Sequence, residues 1–132
     1  MNAFDGIGNF LLYFGVALGF EGVFIALYMA VTSHHETALI KQGNSAAAIS
    51  LGGAVLGFTL PLASVITHSV SLLDMAVWSV VALLVQLAVY LLVNFLLREI
   101  SRRIEEGNIA AATTLAAASL AIGIINAASM TY

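Results

Sequence analysis

The chain has 132 residues, of which 61% are hydrophobic and 8% are charged, and its formal net charge is −3 at pH 7. A soluble domain usually carries roughly a quarter charged residues because its surface faces water, so this composition excludes an ordinary soluble domain and favours a lipid bilayer as the solvent. Four lysines and arginines cannot form the basic face that nucleic-acid binding needs, and the lack of cysteine excludes disulfides and thiolate metal sites.

Four apolar stretches follow one another along the chain, and each is long enough for a helix to cross about 30 Å of hydrocarbon. They cover about Ile7 to Val31, Ala46 to Ile66, Met75 to Leu97 and Ile109 to Met130. Backbone polar groups cannot stay unpaired in lipid, and the alternating segments of a membrane barrel are missing from the sequence, so helices are expected. The sequence therefore predicts an all-α membrane protein with four transmembrane helices in a single domain over residues 1–132.

All four basic residues fall in two of the three connections between these stretches. Lys41 lies between the first and second stretches. Arg98, Arg102 and Arg103 lie between the third and fourth. With four spans these two connections share one side of the membrane, and their positive charge predicts that this side is cytoplasmic. Both termini are then expected on the periplasmic or outer side.

The second half of the sequence repeats the first. Residues 40–66 align with residues 104–130 without a gap, and ten of the 27 positions are identical. The unit is a helical hairpin, with repeat one over about residues 7–66 and repeat two over about residues 73–130. Two spans per unit give both copies the same orientation, so we predict two parallel-repeat helical hairpins.

The most specific part of the repeat is a Gly-Asn pair followed by alanines. It occurs as Gly43-Asn44 and again as Gly107-Asn108. Asparagine is a good helix N-cap, and the glycine before it permits a sharp turn out of the connection. These two pairs are therefore predicted to fix where the second and fourth transmembrane helices begin.

The chain resembles the YjfL family of bacterial inner-membrane proteins, which is built on the domain of unknown function 350. The resemblance covers nearly the whole chain and is carried by the doubled Gly-Asn-x-Ala-Ala-Ala pattern, the run at residues 51–57, Pro61-Leu62, and the ending Asn-Ala-Ala-Ser-Met-Thr-Tyr at residues 126–132. It implies a multi-pass protein of the bacterial inner membrane made of two such hairpins. It implies no particular activity, cofactor or catalytic residue.

Glu21 is the one ionisable residue within a predicted span. A charge at the bilayer centre costs at least about 2.5–3.5 kcal/mol on insertion scales, so its carboxyl should face a partner, a cavity or a subunit interface. Two interpretations stay open: a proton or cation site, or a protonated carboxyl that joins two helices. Gln86 lies at similar depth in the third span and is a candidate partner, or it makes a separate helix-to-helix hydrogen bond.

Small residues and one proline predict how the helices pack. Gly15 and Gly19, like Gly53 and Gly57, are spaced four residues apart, which lets two helix backbones approach closely within one chain or between chains. Pro61 cannot donate a hydrogen bond to the carbonyl of Gly57, so a kink is predicted there, for packing or for gating. A four-helix unit this small has little interior, which favours a homo-oligomer.

The ends of the spans suggest two further sites. The second and fourth helices begin near Lys41 and the three arginines, so an anionic lipid headgroup is a candidate ligand, although membrane orientation alone explains these charges. His34, His35 and Glu36 lie at the inner end of the first span, but His68 falls on the opposite side, so we expect no metal site. No recognisable pairing of nucleophile and base is present, so we expect neither an enzyme nor a cofactor.

Two functions from different classes fit these observations. The first is an oligomeric structural or interaction subunit that serves membrane homeostasis or a larger complex, with lipid and other membrane proteins as its partners. The alternative is a small oligomeric channel or transport unit for ions or protons that uses Glu21 and the kinked second helix.

Overall fold

The computed structural model describes residues 3–130, and within this range the chain forms six helices and no strand. The helices are α1 (Ala3–Val31), α2 (Glu36–Lys41), α3 (Ser45–His68), α4 (Leu72–Leu96), α5 (Ile100–Glu105) and α6 (Ile109–Ser129). Four of them, α1, α3, α4 and α6, are long and apolar enough to cross a membrane. This confirms the prediction of an all-α membrane protein with four transmembrane helices. The end of the motif that carries the family resemblance, residues 131 and 132, lies outside the described residues.

The Gly-Asn pairs stand at the starts of α3 and α6. Gly43 and Gly107 have φ values of 85° and 80°, a conformation that glycine adopts without a steric penalty. The side chain of Asn44 accepts a hydrogen bond from the amide three residues later at 3.0 Å, and that of Asn108 does the same at 3.1 Å. Each asparagine therefore caps a long helix at its first turn.

Two short helices precede these caps, where the sequence suggested only connecting loops. α2 and α5 each contain six residues, too few for a hydrophobic period to be visible in the sequence. Helices this short are not stable alone and depend on packing. α5 buries Ile100, Ser101 and Ile104, and α2 buries Glu36.

The helices α3 and α6 form the most extensive contact in the molecule and run parallel to each other. Nearer their starts, Gly53 of α3 packs against Ala116 of α6. Near their ends, Ser64 Oγ donates to the carbonyl of Ala127 at 3.0 Å. Contacts that advance together along both helices fix the parallel direction. The division into two hairpin repeats stays a prediction, since this pairing concerns only one helix of each.

Backbone packs directly on backbone at the centre of the α3–α6 seam. A Cβ atom added to Gly53 would collide with Ala116, and one added to Gly57 would lie 2.5 Å from the carbonyl oxygen of Ser119. A Cβ on Gly123 would collide with the carbonyl of Gly57. Small residues therefore let these two helices approach closely, as such residues do in membranes. α3 continues as one helix through Pro61.

The remaining two long helices pack around this pair. α4 contacts both α3 and α6, and α1 packs against α3 and α4. Phe24 of α1 stacks on Phe58 of α3 with ring centroids 4.7 Å apart, and Tyr28 meets Tyr90 of α4 edge-on at 6.0 Å. Such aromatic pairs contribute beyond simple area burial. α1 uses one narrow face for these contacts, and the rest of its surface is exposed.

Candidate functional site

Glu21 lies on α1 and faces α3. Its Oε2 accepts a hydrogen bond from Thr59 Oγ1 at 3.0 Å. The same hydroxyl lies 2.8 Å from the carbonyl of Val55, so one proton serves two acceptors. Glu21 Oε1 is buried and has no hydrogen-bond partner among the described residues. The carboxyl is therefore only partly satisfied at a depth where a charge is costly.

An apolar groove runs beside this carboxyl, between α1 and α3. Its volume is about 180 Å³, and it is lined by Phe14, Ala17, Leu18, Glu21, Thr59, Leu62, Ala63 and Ile66. Phe14, Leu18 and Ala63 are exposed on the outside of the bundle, so the groove opens toward the hydrocarbon of the bilayer. Glu21 is the one charged residue in this lining.

Gln86 does not pair with Glu21, and of the two possibilities that the sequence left open it makes the separate hydrogen bonds between helices. Gln86 Nε2 donates to the carbonyl of Ser119 at 3.1 Å, and its Oε1 accepts from Asn126 Nδ2 at 3.2 Å. Asn126 Nδ2 also lies 3.4 Å from the carbonyl of Ala82. The physical reason is direction, because Gln86 points from α4 toward α6 whereas Glu21 points toward α3. Sequence reasoning noted Asn126 only as part of an end motif and missed this network.

The two glycine pairs have different surroundings. Gly53 and Gly57 lie in the seam with α6, within the chain. A Cβ on Gly15 or Gly19 would meet nothing within 4 Å. Both are two residues away from the buried Ala17, which places them about 200° around the helix from it. The first pair therefore serves packing within the chain, and the second lies on the outer face of α1.

A buried polar cluster lies at the end of the bundle that carries the basic residues. His34 Nδ1 lies 2.9 Å from Ser101 Oγ, and Tyr90 Oη lies 2.5 Å from the same oxygen. His34 Nε2 is 3.3 Å from Glu36 Oε1, which also accepts a hydrogen bond from Thr32. His34 and Glu36 are each only 1% exposed. Together these contacts tie the end of α1 to α2, α4 and α5.

Burial sets the electrostatics of this cluster. It lowers the pKa of His34 from its ordinary value of 6.5, and the nearby charge of His35 acts in the same direction. The carboxylates of Glu36 and Glu105 oppose this shift without cancelling it. The neutral imidazole accepts at Nδ1 when Ser101 donates to it, and Tyr90 then donates to Ser101. This order satisfies the serine hydroxyl as both donor and acceptor.

No pattern in the sequence indicates this cluster. The sequence places His34 and Glu36 at the inner end of the first span but does not indicate that both are almost completely buried. Their partner Ser101 is 67 residues away from His34, in a helix that the hydrophobic pattern did not show. No group of three or more histidine, aspartate or glutamate side chains that could hold a metal ion occurs within residues 3–130.

The contacts of the arginines are local and lie on the surface. Arg102 lies 2.6 Å from Glu99 and 3.8 Å from Glu106, and Arg103 Nε donates to the carbonyl of Arg98 at 3.2 Å. Exposed pairs of this kind contribute little to stability. These contacts leave the suggested anion site at the arginines a prediction.

Lys41 lies apart from these pairs, beside the buried cluster. It lines a cavity of about 500 Å³ together with Met29, His34, His35, Glu36, Thr37 and Ala38. The buried carboxylate in this lining opposes the binding of an anion. Contact between Lys41 and a lipid headgroup also stays a prediction.

Comparison with known proteins finds one matching family model and several similar membrane proteins. The family model "Domain of Unknown Function (DUF350)" matches residues 1–130. The chain is 36% identical over 132 residues to the UPF0719 inner membrane protein YjfL of Escherichia coli (strain K12), covering 100% of both chains. It is 32% identical over 102 residues to the UPF0719 transmembrane protein YshE of Bacillus subtilis (strain 168), covering 73% of each. No solved structure matches the chain.

Proposed function

Because this chain belongs to the domain of unknown function 350 family, a family of membrane proteins, we propose that it is a homo-oligomeric structural or interaction subunit of the bacterial inner membrane. The relatives carry the words inner membrane or transmembrane in their names, which supports the location. The role is non-enzymatic and serves membrane homeostasis, either alone or as part of a larger complex. Lipid and other membrane helices are its partners.

The observation that carries this proposal is the open glycine face of α1, formed by Gly8, Gly15, Gly19 and Gly22. A Cβ on any of these four residues would meet nothing within 4 Å. In the same chain, Gly53 and Gly57 use the same small surface to bring two helices into direct contact. The similar surface on α1 contacts no other part of the chain that the structure describes, so it is suited to packing against a helix of another molecule.

The proposed partner of this glycine face is a second copy of the chain. Two copies of α1 that meet through the same glycine face form an isologous contact with two-fold symmetry, the commonest arrangement in homo-oligomers. Close approach of two backbones gains van der Waals contacts that lipid chains cannot match at a grooved surface. The narrow packing face of α1, at Ala17 and Phe24, stays in place because it lies on the other side of the helix.

Disulfide crosslinking tests this contact directly because the chain contains no cysteine. Leu12 lies on the glycine face, and Leu12→Cys should form a crosslinked dimer in native membranes. Leu73→Cys, on the exposed surface of α4, is the matched control and should stay monomeric, since Leu12 and Leu73 precede the contacting Tyr28 and Tyr90 by nearly the same number of residues. Gly19→Leu should weaken the Leu12→Cys crosslink, whereas Gly52→Leu, at an open glycine of α3, should not. Equal crosslinking at both cysteines, or none at either, would count against the proposal.

The membrane orientation is part of the same proposal. The two connections that carry the basic residues meet at one end of the bundle, where His34 contacts Ser101 and Asn44 contacts Ile104. All four Lys and Arg residues of the chain belong to these connections. By the positive-inside rule this end is cytoplasmic, and both termini are periplasmic or outer.

A second candidate function is ion or proton permeation, and the partly satisfied carboxyl of Glu21 favours it. The buried amides of Gln86 and Asn126 are occupied by hydrogen bonds between helices, so a path would have to form between copies. Flux of protons and ions into sealed liposomes, beside Glu21→Gln at equal reconstitution, separates the two functions. Flux that the substitution abolishes would establish permeation, whereas correctly inserted samples without flux would support the structural role.

A further inference from the structure

We propose that the groove between α1 and α3 binds a lipophilic primary ammonium ion, with its charged group at Glu21 and its apolar chain along the groove toward Phe14. The ligand enters from the bilayer. This site rests neither on self-association through the glycine face, which is centred about 130° around α1 from Glu21, nor on ion permeation. It assigns a ligand class to the one charged residue that the membrane-spanning helices carry in their interior.

Charge complementarity selects a cation. Glu21 is the single charged residue in the lining, and no basic residue lies there to neutralise it. A carboxylate in hydrocarbon needs either a proton or a counter-charge nearby. The other lining residues apart from Thr59 are apolar, so a strongly hydrated ion such as a metal cation would find no ligands to replace its water.

Hydrogen-bonding capacity selects a cation with N–H groups. Glu21 Oε1 has no hydrogen-bond partner within residues 3–130, and the Thr59 hydroxyl divides its proton between Glu21 Oε2 and the Val55 carbonyl. A primary ammonium group has three donors, enough for the carboxylate and for a lone pair of the threonine hydroxyl. The terminal torsion of a glutamate is broad, so the carboxylate can turn its free oxygen toward the groove.

The shape of the groove selects a narrow apolar chain. Its volume of about 180 Å³ extends from Glu21 and Thr59 to Phe14 and Ile66. Seven residues separate Phe14 from Glu21, so the groove is about 10 Å long at 1.5 Å per residue. A single alkyl chain fits such a space, whereas a bulky multi-ring cation does not.

The test uses the full chain in lipid vesicles and labelling by dicyclohexylcarbodiimide, an apolar reagent that reaches carboxyl groups from the bilayer. The carboxylic acid proton moves to one reagent nitrogen, and a carboxyl oxygen bonds to the central carbon. The adduct then rearranges to a stable N-acylurea, so no further reactant is needed. Peptide mapping by mass spectrometry should place the adduct on Glu21, and Glu21→Gln should lack it.

The probe is n-octylammonium, with n-octanol as a neutral control of the same chain length. An ammonium that occupies nine sites in ten holds Glu21 as the carboxylate and covers it, so modification of Glu21 should slow about tenfold. The rate is measured as loss of the unmodified Glu21 peptide, so that an octylamide formed when the amine captures the activated carboxyl is counted as modification. The alcohol should have little effect. Failure of Glu21 to label, or equal slowing by ammonium and alcohol, would overturn the proposal.

Two further variants test whether protection by the probe depends on the groove as well as on the carboxyl. Ala63→Phe fills the groove from an exposed position and leaves Glu21 and Thr59 intact, so protection by n-octylammonium should be lost. Ala121→Phe, at another exposed alanine in the groove between α4 and α6, is the matched control and should retain protection. Unchanged protection in Ala63→Phe would show that the probe acts from bulk lipid and would overturn the proposal.

Discussion

The carbonyl of Gly57 lies directly against Gly123, at the place where Pro61 has removed that carbonyl's partner within its own helix. Without a side chain on Gly123, the carbonyl reaches the neighbouring backbone, where Cα–H groups are weak donors. The proline and the two glycines therefore act together: the proline frees the carbonyl, and the glycines let it pack closely against α6. In hydrocarbon this matters because a freed carbonyl has no water to bind.

Filling this contact should destabilise the bundle. Gly123→Ala places a methyl group against the Gly57 carbonyl, and overpacking of this kind typically costs about 1–3 kcal/mol. Gly52→Ala is the matched control, because nothing lies within 4 Å of its new Cβ. Unfolding in mixed micelles by a denaturing detergent measures both. Equal stability of the two variants would contradict the close backbone contact.

The amides of Gln86 and Asn126 should act as a coupled pair. Each depends on the other, since Asn126 Nδ2 donates to Gln86 Oε1 at 3.2 Å in a buried position. Gln86→Leu and Asn126→Leu should each destabilise the protein, and the double variant should lose less than the sum. The coupling between polar groups in membranes averages about 0.6 kcal/mol, with a maximum near 1.7. Strictly additive losses in the same unfolding assay would show that the bond contributes nothing.

Sequence patterns predicted the features that depend on neighbouring residues. The four spans follow from runs of apolar side chains, and the caps at Asn44 and Asn108 follow from the local chemistry of Gly-Asn. The contacts of the site residues were not predicted, because they join residues that are far apart in the sequence. Glu21 meets Thr59 and not Gln86 because of how each helix is rotated, and rotation is poorly marked when both lipid and core are apolar.

Removing the Ser101 hydroxyl should lower the stability of the fold, because its buried partners lose a hydrogen bond. Ser101→Ala leaves His34 Nδ1, Tyr90 Oη and the amide of Ser33 without this partner, and unpaired buried groups cost about 1–3 kcal/mol each. Ser129→Ala is the control, because that hydroxyl is exposed and bonds only to a carbonyl of its own helix. Thermal unfolding should separate the two variants. A Ser101→Ala protein as stable as the control would mean that the cluster is not hydrogen-bonded in the membrane.

Acidification should loosen the same cluster. Burial lowers the pKa of His34 below 6.5, so the folded state binds this proton less readily than the unfolded state. The resulting stability is fully present above about pH 6.5 and declines as the pH falls below it. Stability measured at several pH values, compared with His34→Gln, isolates this contribution from the other titrating groups. A wild-type protein that loses no more stability on acidification than His34→Gln would contradict the prediction.

The two capping asparagines should differ in importance although their cap geometry is the same. Asn44 Nδ2 also donates to the carbonyls of Ile104 at 2.9 Å and Glu105 at 3.3 Å, which joins the start of α3 to the end of α5. Loss of a cap costs typically about 1 kcal/mol, and each further hydrogen bond adds about 0.5–1.5 kcal/mol. Asn44→Ala should therefore be more destabilising than Asn108→Ala.

Aspartate separates the two roles of Asn44 because it keeps the capping oxygen and lacks the amide donor. Asn44→Asp should retain the cap on the Ala47 amide and lose the bridge to α5, so its stability should fall between those of wild type and Asn44→Ala. Asn108→Asp should stay close to wild type, since its Oδ1 cap on the Ala111 amide is preserved. Unfolding of the four variants side by side measures this. Equal losses for Asn44→Asp and Asn108→Asp would mean that the bridge between the two basic connections does not stabilise the fold.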